Sequence, residues 1–147
     1  MCINWFKERK IPNPDIVGAI GIDDLRTLIK SAVGDIPILL PDEYYRLATK
    51  KSFCEFLDYD QTDKYMYTGD NSSGGFDCDN FSSILAGNSS IPKWGDVPIG
   101  IVWLSQPAHA VNIFIDEHLD VWYIEPQNDK MWKVEDKPDW VPYIVWL

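Results

Sequence analysis

A chain of 147 residues is the length of one domain and can bury a core without disulfide staples. Its 46% hydrophobic and 14% aromatic content is that of a folding sequence, and the tryptophans crowd from Trp94 onward, which marks the last third as a packed sheet. With 13 basic and 23 acidic side chains the net charge is −10, a surface that repels phosphate backbones and argues against nucleic-acid binding.

Cys2, Cys54 and Cys78 are odd in number and irregular in spacing, so neither a disulfide framework nor a CxxC zinc site fits. The start, "MCINWFKERK", has no long apolar run, and no later stretch approaches the ~18 apolar residues of a membrane span. The expectation is a soluble protein of the reducing cytoplasm, with no membrane partner and no nucleic acid.

Residues 1–14 end in "IPNPD", where two prolines break a helix, and are expected to form an N-terminal arm on a single domain spanning 1–147. "DDLRTLIKSAVG" places Leu25, Leu28, Ile29, Ala32 and Val33 at helical spacing, with an acidic start and Gly34 as the stop. "DIPILLPDEYYRLAT" is prolyl and extended, with a short strand over residues 44–47. Thr49 is the expected N-cap of a second helix, "KKSFCEFLDY", in which Phe53, Phe56 and Leu57 share a face and Cys54 lies beside it as a packing residue. A polar, glycine-rich loop, "DQTDKYMYTGDNSSGG", delivers the chain to a third helix over residues 78–86. Strand patterns follow in "IGIVWLS", "AHAVNIFID", "VWYIEP" and "VPYIVWL", with "DEHLD" at hairpin-loop length and a short element over residues 131–134. Helices first and an antiparallel meander afterwards define an α+β class.

The polar residues at element ends suggest chemistry. Cys78 opens a helix, where unpaired N–H groups and the macrodipole favour a thiolate, although Asp77 and Asp79 oppose it. His109 starts a strand on which His109, Val111, Ile113 and Ile115 share one face and Asn112 and Phe114 the other. Glu125 ends the next strand before Pro126. A turn centred on residue 117 sets His109 opposite Glu125 on one sheet face, so that a carboxylate orients an imidazole. His118, in the loop, is expected to be a solvated turn residue. A nucleophile, a base and an orienting acid follow the general logic of a Cys-His-acid triad. The Cys78 N–H, with Asn71, Asn112 and Gln127 as oxyanion or neighbouring polar candidates, completes the expected site.

In this order "FDCDNF", "HAVN" and "IEPQ" resemble the papain-like, transglutaminase-like cysteine peptidases, in the branch that includes the C-terminal protease domain of a fungal agglutinin and small phage-encoded proteins. The resemblance covers roughly residues 65–127. It implies a papain-like fold with the central helix starting at Cys78 as nucleophile, His109 as base and Glu125 as orienting acid. "DCDNFS" departs from the more usual double-aspartate form, and "TGDNSSGG" looks like a loop inserted beside the nucleophile. The fungal relative needs calcium, so the resemblance leaves calcium dependence open, but its ligands map onto no residues here and no cofactor or metal site is assigned.

The expected function is therefore a cysteine hydrolase, phage-encoded and acting in the host cell, that cleaves an amide bond of a protein or peptide substrate through a thioester. The alternative is a phage accessory protein that binds a host factor through its acidic surface without catalysis.

Overall fold

The computed structural model describes residues 10–69 and 75–147, and its elements begin and end where the sequence supplies caps, glycines and prolines. In chain order they are β1 (Ile16–Gly21), α1 (Ile22–Val33), β2 (Ile38–Leu39), β3 (Tyr44–Ala48), α2 (Lys50–Tyr59), α3 (Cys78–Ser89), β4 (Ile99–Gln106), β5 (His109–Ile115), β6 (Val121–Glu125), β7 (Lys130–Lys133) and β8 (Val141–Trp146). Strands β1 and β3 form an antiparallel ribbon of their own. The other six make one sheet in the order β2-β8-β4-β5-β6-β7, antiparallel except for the β2–β8 pair. The α+β class expected from the order of elements is the observed one.

Local chemistry explains the helices. Asp23 and Asp24 sit in the first turn of α1 and Lys30 in its last, complementing the macrodipole, and Gly34 ends it at φ 97°. Thr49 caps α2 as expected, its hydroxyl accepting from the Ser52 N–H at 3.2 Å. At the start of α3 the Asp77 N–H donates to Asn80 Oδ1 at 3.0 Å. Cys54 departs from expectation: it is exposed on α2, its sulfur 4.0 Å from that of Met131.

The sheet is covered on both faces, which gives two cores. On one side Leu25 and Ile29 of α1 and Tyr45 and Leu47 of β3 pack on Val102, Val111, Ile113, Tyr123 and Val145. On the other, Phe53, Phe56 and Leu57 of α2 and Leu85 of α3 pack with Trp94 on Phe114 and Ile124. Phe53 and Phe114 stack at 4.1 Å between ring centres. Strand β5 is therefore buried almost throughout although its two faces were correctly assigned. It is a central strand under two layers rather than a half-solvated one.

The described end of the expected arm, from residue 10, is packed against the domain. Pro12 and Asn13 are tied down, accepting from Trp94 Nε1 at 2.7 Å and Lys93 Nζ at 2.6 Å. Directly after it comes β1, a strand that the glycines of "IVGAIG" hide from a reading of β-propensity.

Candidate functional site

Cys78 is the first residue of α3 and is partly buried. Its sulfur meets the backbone N–H groups of Ala110 and Asp79, and among the described residues no hydrogen bond joins it to His109. Burial pushes the thiol pKa up; the Ala110 N–H pulls it down, and Asp77 and Asp79 raise it again. Desolvation is the largest of these influences, and the two flanking carboxylates act in the same direction. The expected depressed thiolate is therefore corrected to a thiol held above its ordinary range.

His109 and Glu125 do meet. Nε2 lies 2.7 Å from Oε2, both side chains largely shielded, and Glu125 Oε1 accepts weakly from the Gln127 backbone N–H at 3.4 Å. The ladder pairs Asn112 with Ile124 and Ile113 with Tyr123, so the turn is centred one residue later than expected. Continued along the strands, that register makes His109 and Glu125 diagonal neighbours rather than opposed ones, still on one face. Asp116 causes the displacement: its carboxylate accepts from the His118 and Asp120 N–H groups and from Trp122 Nε1. His118 itself is solvated, with its side chain 76% exposed. Trp140 stands edge-on to the His109 ring at 6.4 Å and packs in turn on Trp132 and Tyr123.

The remaining candidates separate. Asn112 is fully buried on the opposite face from His109, and its Nδ2 donates to Ser82 O and Gly100 O, both at 2.9 Å. It ties α3 to β4 and β5 from within the core, which places it behind the Cys78 helix and not on a rim. Gln127 reaches Glu125 through its backbone. Asn71 lies outside the described residues. Among the described residues no group of three or more His, Cys, Asp or Glu side chains is placed to hold a metal ion.

Just beyond Glu125, Asp129 sits at φ 57° with Oδ1 buried and unpartnered among the described residues. Burial first, then Asp63 and Asp60, push its carboxyl up to about 7 against the pull of Lys64. The folded value lies above the ordinary 3.8, so the native state holds a proton that the unfolded chain has lost. Stability from this group accordingly falls as pH rises from about 4 and is lowest above 7. Asp129→Asn keeps a side chain tolerated at positive φ. It is expected to stabilise the protein by ~1 kcal/mol at pH 8, discounted for partial solvent screening, and to leave stability near pH 4 unchanged. Urea denaturation at the two pH values checks both.

A concavity of about 400 Å³ lies towards the other end of α3 from Cys78. Asp42, Tyr45 of β3, Ser83 and Gly87 of α3, Trp94 and Trp146 line it. Sequence reading missed it because its walls come from elements far apart in the chain. The available signal was the tryptophan near the chain end, in a strand that pattern alone assigns to the sheet.

No protein-family model and no curated protein matches the chain. Two similar solved structures are informative. One, the PSL1a–E64 complex, has a TM-score of 0.72 at 21% identity, covering 88% of this chain and 51% of that one. The other, a Polyporus squamosus lectin bound to the human-type influenza-binding epitope Neu5Acα2-6Galβ1-4GlcNAc, has a TM-score of 0.71 at 20% identity, covering 88% and 49%. The chain spans about half the length of these neighbours and shares their fold over that half.

These findings correct the resemblance drawn from the three motifs. The similar structures are those of a lectin, and neither a family model nor a curated relative supports a peptidase. The papain-like assignment is set aside with it, as are the cysteine hydrolase, the Cys-His-Glu triad, the phage origin and the protein or peptide substrate. What remains on the structure is a mixed α+β domain carrying a partly buried free thiol, a His–Glu pair and an aromatic-walled cavity.

Proposed function

We propose that this chain is a single binding domain that recognises a carbohydrate without covalent chemistry. The observation that carries the non-catalytic part is Cys78: a thiol whose pKa burial raises, with two carboxylates beside it and no hydrogen bond to His109 among the described residues, is a poor nucleophile. On this reading the His109–Glu125 pair is a clasp at the open end of the β5–β6 hairpin. The carbohydrate class is supported by the likeness to a lectin and by the aromatic-walled cavity. Free thiols at Cys54 and Cys78 support a reducing, cytoplasmic setting.

The two neighbours supply the probes. Incubated with E64 at neutral pH, the protein is expected to keep its unmodified intact mass, and iodoacetamide is expected to alkylate Cys78 only as pH passes the ordinary thiol value of about 8.5. Binding to a panel of immobilised glycans is expected to survive Cys78→Ala. A stoichiometric adduct on Cys78 at neutral pH, lost in His109→Ala, overturns the non-catalytic reading. A panel with no bound glycan overturns the carbohydrate reading.

A further inference from the structure

Helix α3 packs on β5 and β4, and the neighbouring strands β8 and β2 carry exposed apolar side chains. There Trp146 of β8 is 51% exposed and Leu39 of β2, its ladder partner, is 55% exposed. A large aromatic left half in water is informative when it is held rigidly. The main chain at Trp146 is held on both sides: it pairs with Leu39 and with Ile101, and the N–H groups flanking it, Val145 and Leu147, donate to Pro37 O and Leu39 O at 3.0 and 3.1 Å.

The geometry points to the cavity under this indole as the carbohydrate site, taking a neutral disaccharide with one pyranose ring stacked on Trp146. This rests on the binding reading above and gives it a place. A pyranose offers one face of C–H groups and a rim of hydroxyls, so it needs an aromatic plane and a few short polar groups around it. The cavity has both. Its volume, about 400 Å³, falls within the ordinary range for small-ligand sites. Among the described residues the Ser83 hydroxyl and the Asp42 carboxylate make no hydrogen bond, and both border it. Asp42 adds selectivity. A carboxylate at the mouth of a protein with net charge −10 repels a sialic acid, so the preferred ligand is uncharged although the lectin neighbour carries a sialylated one.

The test is calorimetric titration of the full chain with Galβ1-4GlcNAc and with Neu5Acα2-6Galβ1-4GlcNAc. Wild type is expected to bind the neutral disaccharide more tightly, with a gap that widens at low salt and narrows in Asp42→Asn. Trp146→Ala is expected to lose about tenfold or more, and Ser83→Ala several-fold. Ser83 is exposed on a helix, so its variant keeps the fold even if Trp146→Ala does not. Wild-type affinity retained by both variants overturns this site and leaves the carbohydrate reading standing. No binding by wild type of either saccharide, together with an empty glycan panel, overturns both.

Discussion

Gly100→Ala is expected to lower the stability of the domain by ~3 kcal/mol, at the top of the range for overpacking. A Cβ built on Gly100 would lie 2.0 Å from the Trp146 carbonyl oxygen and 2.7 Å from the Leu147 Cα. Both are backbone atoms, so no rotamer change relieves the clash; β8 and the chain end must move away from β4. That movement breaks hydrogen bonds of the β4–β8 pair and shifts the Trp146 platform with it. Urea denaturation checks the effect through a lower midpoint at unchanged slope. Gly87→Ala is the control of opposite sign: nothing lies within 4 Å of its absent Cβ, and in α3 alanine gains ~0.5–1 kcal/mol over glycine.

The same two glycines show what the chain's pattern could and could not convey. Helices α1 and α2 were legible because capping and periodicity are local: Gly34, Thr49 and the Phe53–Leu57 stripe act within one or two turns. Strands β4, β5, β6 and β8 were legible from β-branched and aromatic runs. Strands β1 and β2 were not. One is diluted by glycines, the other is two residues long, and each exists only because a distant strand pairs with it. Gly100 likewise reads as one more glycine in an apolar run until the chain end is seen to cross it.

At the site, the part set by one hairpin was legible and the part set by the whole fold was not. His109 and Glu125 belong to adjacent strands, and an error of one residue in the turn moved them from opposed to diagonal without separating them. The state of Cys78 depends on what covers the start of α3. A helix N-terminus argues for a thiolate, whereas burial and two aspartates argue against one, and only the fold shows how far the thiol is buried. Three short motifs in order therefore carried more functional weight than they could bear. The cavity under Trp146 draws its walls from the segment before β3, the far end of α3 and the end of β8, a juxtaposition to which no local pattern points.

Asn112→Asp is expected to be the most damaging single change, costing ~3–5 kcal/mol at pH 7, as for other uncompensated buried charges. The side chain is fully buried, and its Nδ2 alone serves two carbonyls, Ser82 O and Gly100 O. A carboxylate there donates nothing and faces two oxygens. Its proton is therefore retained well above the ordinary carboxylate pKa, because the protonated form supplies one O–H donor to one of the two carbonyls. The sign follows. Between the unfolded value near 4 and the raised folded value, the native variant holds a proton that the unfolded chain lacks, so its stability falls as pH rises, by ~1.4 kcal/mol per pKa unit. Near pH 4 most of the penalty disappears, leaving the loss of one hydrogen bond. Thermal denaturation of the variant and wild type at pH 4 and pH 7 measures this directly. A pH-independent deficit would mean that Asn112 matters through packing alone. The expected pH-dependent deficit identifies it as the polar tie that holds α3 onto β4 and β5, and with them both Cys78 and the wall of the cavity.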